Sequence, residues 1–187
     1  MHYIAPDFPK ERYSVIYCDP PWSYKNKPMI RADHHYPTMK TKEICNLPVQ
    51  GITDDDCLLF MWTVSPNLDQ AIIVGQAWGF KYITVGFIWH KKKTLPAFYT
   101  LPSCELCLIF KKGKIPQPRG DRTIKQFLSL KSGVHSEKPW IVRDNIVKMF
   151  PNPAHKKIEL FARTCHPGWD AWGNEDGGDY HEPLIIS

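Results

Sequence analysis

No stretch of this 187-residue chain approaches the ~18 consecutive apolar residues that a membrane span requires. The first residues, Met-His-Tyr-Ile-Ala-Pro-Asp, carry no basic-then-apolar export pattern. The expectation is a cytoplasmic protein with no membrane partner. Internal repeats and low-complexity tracts are missing too, which argues for one ordinary domain with a substantial core. A Gly-rich phosphate loop is absent. Neither sign of charge dominates: a net +5 permits a polyanionic partner without requiring one. Six cysteines are present, but not in the pattern of a metal knuckle. Cys104 and Cys107 have CxxC spacing inside a strand-like run, where alternation sends their side chains to opposite faces. No second CxxC follows, and Cys165 and His166 are adjacent rather than spaced as ligands. Free buried thiols in a reducing compartment, and no metal, are expected.

What the chain does have is seven tryptophans and seventeen prolines, many in loop-like stretches where rigid aromatic surface suits stacking on a base. The most informative stretch is Ser14 to Trp22, Ser-Val-Ile-Tyr-Cys-Asp-Pro-Pro-Trp. Val15, Ile16 and Tyr17 predict a strand buried on both faces. Pro20 and Pro21 stop it abruptly. Asp19 is then left at the carboxyl end of a buried strand, where open α/β sheets place their ligands. The two prolines remove N–H donors and stiffen the backbone. A rigid acceptor patch remains, made of the Asp19 carboxylate and the Asp19 and Pro20 carbonyls, with Trp22 beside it.

Along the chain, strand 14–18 is followed by a loop over 23–40 holding Tyr24, His35 and Tyr36, of a length that is usually functional. A short helix is predicted over 41–47, a strand over 57–63, and a helix from Ser65 as N-cap to Trp78, stopped by Gly79. A strand over 80–89 leads to Lys91-Lys92-Lys93, which reads either as a solvated turn or as a phosphate contact. A strand over 105–110 precedes a basic loop over 111–122. An edge strand over 123–130, a loop over 131–138, a helix from Pro139 to Phe150 and strands over 157–162 and 169–172 complete the pattern. Strands alternating with helices predict an α/β fold around a mostly parallel sheet.

An amino group conjugated to an aromatic base is a poor nucleophile because its lone pair is delocalised. A site that accepts both N–H hydrogens on fixed oxygens frees that lone pair. Asp19 and the Pro20 carbonyl have the required character, and Trp22 or Tyr24 could stack on the ring and exclude water. Such an amino group is paired inside a duplex, so the base must be unpaired or flipped out. Asp19 as a mere turn cap is the structural alternative.

Asp19-Pro20-Pro21-Trp22 resembles the catalytic motif of the adenine-N6 methyltransferases that use S-adenosylmethionine. The branch it is most similar to contains the catalytic subunit of the eukaryotic mRNA adenosine methyltransferase and its bacterial and phage DNA-modifying relatives. Other segments are similar to that family in the same order: His35-Tyr36-Pro37-Thr38-Met39, Leu59-Phe60-Met61-Trp62, Glu105-Leu106-Cys107-Leu108, His135-Ser136-Glu137-Lys138-Pro139 (with two residues inserted), Lys157 to Arg163, and Gly168 to Glu175. The resemblance implies a Rossmann-like class I methyltransferase fold with circularly permuted order, catalytic motif first. The whole of 1–187 would be one methyltransferase domain, with the catalytic motif at 14–22, active-site loops at about 23–40 and 131–139, and a cofactor-binding part at about 138–175. The missing phosphate loop agrees with a cofactor that carries no phosphates.

The same resemblance implies roles. Asp19, Pro20, Pro21 and Trp22 would be catalytic. Asp19, Lys138, Arg163, Asn174 and Glu175 would hold the cofactor, with Lys138 on its carboxylate and Asn174 and Glu175 on its ribose hydroxyls. Trp22, Tyr24, Tyr36, Glu105 and His135 would line the base pocket. Thr164-Cys165-His166 departs from the family's Pro-His-Asn segment. A chain this small is expected to carry no separate recognition domain, which would leave sequence readout to loops 23–40, 91–103 and 111–123, or to a partner chain. DNA is favoured over RNA as the substrate, in a bacterial or phage-infected cell. A catalytically silent nucleic-acid-binding partner is the reading from another class, opposed by the intact motif. Homodimerisation through residues 91–103 is the expected assembly.

Overall fold

Strand β1 (Tyr13–Cys18) lies between β2 (Thr53–Thr63) and β6 (Lys157–Leu160) and is parallel to both. Its neighbours on both sides and the layers above and below leave Val15, Ile16, Tyr17 and Cys18 with no solvent exposure, as a β-branched and aromatic run in a parallel sheet should be. The computed structural model describes residues 7–23, 38–92, 94, 99–131 and 137–173. Its other elements are α1 (Thr41–Cys45), α2 (Leu68–Ala77), β3 (Lys81–His90), β4 (Cys104–Lys112), β5 (Phe127–Ser129), α3 (Trp140–Met149) and β7 (Asp170–Trp172). The strands form one sheet in the order β5-β3-β4-β2-β1-β6-β7.

Alternation along β1 divides the core in two. Ile16 and Cys18 pack with Ile44 of α1 and Ala71 and Val74 of α2, while Val15 and Tyr17 pack with Val142 and Ile146 of α3 on the other face. The chain thus leaves β1 over one face and returns to β6 across the other. The carboxyl end of β1 is therefore a switch point, where such sheets open a crevice. The expected α/β architecture is present, with the motif-bearing strand first in sequence and central in space.

The sheet is mostly parallel, but β4 runs antiparallel to both β2 and β3. This reversal brings the start of β4 to the rim where β1, β2, β3 and β6 end. The basic loop that follows β4 begins at the opposite end of the sheet. Gly113 and Lys114 lie against Asp55 and Asp56 at the start of β2, roughly 20 Å of extended strand from the rim.

Several boundaries differ from the sequence reading. Strand β2 begins at Thr53, not Cys57. Three successive acids are poor strand formers, but Ser14 donates to Asp54, and the Lys114 N–H donates to Asp56. The segment after β2 opens as a 3-10 turn, Ser65–Asn67, and Ser65 does not cap α2. Gly79 ends that helix as expected, at φ +83°. Strand β6 stops at Leu160 because Phe161 adopts φ +61°, a conformation uncommon for a bulky residue and often retained beside functional sites. All six cysteines are free, but only Cys18, Cys57 and Cys107 are buried.

Candidate active site

Asp19 follows directly on β1, at the rim. The two prolines after it make a tight turn in which the Trp22 N–H donates to the Pro20 carbonyl at 2.8 Å. The Met39 N–H donates to the Pro21 carbonyl at 2.8 Å, and the Ser23 N–H donates to the Met39 carbonyl at 3.2 Å. The chain entering α1 therefore clasps the turn. The Pro20 carbonyl keeps a second lone pair, whereas the Pro21 carbonyl is occupied as a clasp.

Trp22 differs from its expected role. Its side chain packs in the α1/α2 core, the residue is 7% exposed, and its indole N–H donates to the Trp62 carbonyl at 3.0 Å. It anchors the turn and offers no open face for stacking. Trp62 in turn donates its indole N–H to the Tyr17 hydroxyl at 2.6 Å. Both tryptophans brace the backbone beneath Asp19.

Lys138, two residues ahead of α3, brings its ammonium 2.5 Å from Asp19 Oδ2 and 3.2 Å from Glu105 Oε2. Glu105, second residue of β4, is carried to the rim by the antiparallel direction of that strand. Its other oxygen, Oε1, pairs with the ammonium of Lys91. Four side chains of alternating sign thus run across the carboxyl rim: Asp19, Lys138, Glu105, Lys91. Indole faces flank both ammonium groups, with Trp62 5.8 Å from Lys138 and Trp89 5.1 Å from Lys91.

Burial opposes charge in this row, but the pairing wins. Burial alone would raise Glu105, yet Lys138 and Lys91 hold it below the usual carboxylate range. Burial alone would lower Lys138, yet Asp19 and Glu105 hold it above the ordinary lysine value. Both stay ionised at neutral pH.

On the α3 face, Arg143 places one guanidinium nitrogen 3.1 Å from both oxygens of Glu159 on β6. This pair ties the helix that follows Lys138 to the strand beside β1. Burial drives Glu159 up to about 7, against the opposing pull of Arg143. Arg163 lies exposed beyond the left-handed Phe161, on the segment leaving the same rim. Tyr24, Tyr36, His135, Asn174 and Glu175 lie outside the described residues.

Lys91 was legible only as a turn or a phosphate contact. The structure turns it inward onto Glu105, because the ladder between β3 and β4 continues through the Lys91 N–H to the Ser103 carbonyl at 2.8 Å. The register pairs Trp89 with Glu105, and nothing in the sequence gives that register. In the basic loop, Arg119 stands 5.9 Å from the Phe150 ring, and Lys112, still in β4, donates to Thr53. The start of this loop lies at the end of the sheet opposite Asp19. The row of charges is likewise more than a turn cap: Asp19 faces a lysine 119 positions away.

A profile of the MT-A70 family matches residues 13–175. The Type II methyltransferase M.MunI of Mycoplasma sp is 47% identical over 191 residues, which cover 92% of this chain and 81% of that protein. The N(6)-adenine-specific methyltransferase METTL4 of Homo sapiens is 25% identical over 183 residues, matching 89% of this chain to 38% of that protein. The mouse METTL4 is 24% identical over 181 residues.

Proposed function

Because the chain belongs to the MT-A70 family, we propose that it is a single-domain enzyme that transfers a methyl group from S-adenosylmethionine to the N6 amino group of adenine in DNA, on a base that is unpaired or flipped out. The observation that carries this reading is Asp19, held at the end of β1 by the proline turn and paired with Lys138 across 119 residues of sequence.

The donor set at the rim fits the cofactor's amino-acid end. An ammonium has three donors. Asp19 and Glu105 accept two from Lys138, so one remains for a carboxylate. Arg163, Asn174 and Glu175 complete the proposed cofactor side, on the segment that follows β6. When bound, the cofactor supplies an electrophilic methyl on sulfur. The protein's own task is to free the adenine lone pair. Asp19 accepts one N–H of the exocyclic amine, and the spare lone pair of the Pro20 carbonyl accepts the other. Trp22, locked to Trp62, keeps these two oxygens from drifting apart. Lys138 holds Asp19 in a fixed orientation, so that stabilisation is built in before the base arrives. Glu105 holds Lys138 from behind. Tyr24, Tyr36 and His135 are assigned to the base pocket on the family resemblance alone.

DNA is supported over RNA by the 47% identity to a Type II methyltransferase. The same reading places the protein in the cytoplasm of a bacterial or phage-infected cell; among the described residues no helix is long and apolar enough to cross a membrane. A homodimer through the loop 91–103 is supported by Tyr99, 99% exposed, and Leu101, 63% exposed; a monomeric mass in light scattering would remove it. Incubation with labelled cofactor and matched single- and double-stranded DNA and RNA oligonucleotides tests the main reading. Label on the N6 of adenine in DNA is expected. Label in RNA alone, or none in any adenine-containing strand, would overturn it.

A further inference from the structure

We propose that Lys91 is a positioning residue for methyl transfer, keeping Glu105 ionised and turned so that Lys138 stays on Asp19. The proposal rests on the catalytic reading of Asp19 and Lys138 and adds a residue that neither the motif nor the spacing identified.

Glu105 divides its two oxygens between two different ammonium groups, Oε2 to Lys138 and Oε1 to Lys91. The side chains of Lys138 and Glu105 are 12% and 10% exposed, and that of Lys91 is 22% exposed. A carboxylate this enclosed needs compensation. Lys138 must serve both Asp19 and Glu105, so alone it leaves two negative charges against one positive. Lys91 balances the row. Without it, Glu105 either takes up a proton or draws Lys138 away from Asp19. Both outcomes loosen the group that faces the base.

Among the described residues, the groups around Glu105 are few. Asp19 stands at the end of β1, Lys138 ahead of α3, and Lys91 and His90 at the end of β3. On β4 itself are Cys104 and Cys107, the latter held neutral by burial. Facing β2 contributes Trp62 and Thr63, which do not titrate. Glu159, beside one cation, is pushed up by burial and by the charges of Asp19 and Glu137 despite Arg143. Glu105 with Lys138 alone should behave similarly.

The test compares wild type, Lys91→Met and Lys91→Arg by methyl transfer to a DNA oligonucleotide between pH 6 and 8.5. In Lys91→Met, Glu105 loses one of its two cations, so its carboxyl should rise and transfer should fall toward pH 6 relative to pH 8.5. Wild type should show no such acidic limb from this group, and Lys91→Arg should restore the wild-type profile. A Lys91→Met enzyme with an unchanged pH profile, but a raised KM for DNA and a shallower salt dependence, would overturn the proposal and make Lys91 a phosphate contact. If wild type itself transfers no methyl group, the catalytic reading fails. The charge relation is then still read from thermal unfolding: Lys91→Met should lose stability relative to wild type as pH rises from about 5 to 7, and a pH-independent difference would refute it.

Discussion

Glu105 and Glu159 are both strand carboxylates, with side chains 10% and 13% exposed, yet their acidities move in opposite directions. Burial drives both upward. Glu105 is met by two lysines and ends below the usual range, whereas Glu159 is met by one arginine and ends near 7. Glu159 is pushed up further by the charges of Asp19 and Glu137, so the balance of cations and anions within reach decides which effect wins. At the rim, the result is a row of paired side chains of alternating sign ending in Asp19, 31% exposed. On the α3 face, the result is a clamp between helix and strand that is half protonated near neutrality. One region is arranged so that charge meets a ligand, the other so that Lys138 is delivered to the right place.

The comparison can be broken most severely at Lys138. Lys138→Met removes the ammonium that Asp19 and Glu105 share, leaving Lys91 as the cation paired with Glu105 among the described residues. Removing one partner of an enclosed pair costs about 3–5 kcal/mol, which for a chain of this size is a fall in Tm of roughly 10 °C. Methyl transfer should be lost as well. A variant melting within a degree or two of wild type would show that the row is not a stabilising unit.

Arg143→Met should have an intermediate effect that depends on pH. At pH 8 the variant must either keep Glu159 ionised without its guanidinium or hold a proton on it, a penalty of about 1–3 kcal/mol. At pH 5.5 Glu159 is neutral in both proteins and the loss should be smaller. Equal losses in Tm at the two pH values would mean that Glu159 is not the partner that matters.

Glu159→Gln should give the smallest change and the clearest sign. The folded pKa of Glu159 is about 7, above its ordinary 4.5, so its protonated form favours folding. That contribution is present at low pH and is lost as pH rises from about 4.5 to 7. His166, lowered to about 4 by burial and by Arg143, contributes with the opposite slope between about 4 and 6.5. His166 is common to both proteins, so the difference in Tm between variant and wild type isolates Glu159. It should move in favour of Glu159→Gln as pH rises from 5 to 7. A constant difference would contradict the raised value.

These contrasts also mark what sequence could and could not carry. The run Val15 to Cys18 and the stop at Asp19-Pro20-Pro21 were legible because apolar strand formers and proline act locally. So was the Gly79 helix end. The meeting of Asp19 with Lys138 was accessible only through the family resemblance, which names both without placing them together. The inward turn of Lys91 was not legible, since it follows from the direction and register of β4 against β3, both tertiary properties. Trp22 was misread for a related reason. A tryptophan after a proline turn looks like a loop platform, and only the Trp62 carbonyl beneath it makes it an anchor. The strand reversal that brings Glu105 to the rim also starts the basic loop after β4 at the opposite end of the sheet, which the sequence alone does not show.

The central claim is that Asp19 acts chiefly on the base and that its place beside the cofactor adds little to cofactor binding. Asp19→Ala, assayed for transfer of a labelled methyl group to DNA alongside calorimetric binding of S-adenosylhomocysteine, tests it directly. The account predicts loss of transfer of about 10³-fold or more, the scale of removing a preorganised transition-state contact, with cofactor affinity within about tenfold of wild type because Lys138 remains held by Glu105. Transfer at wild-type rate, or loss of cofactor binding in parallel with transfer, would contradict it.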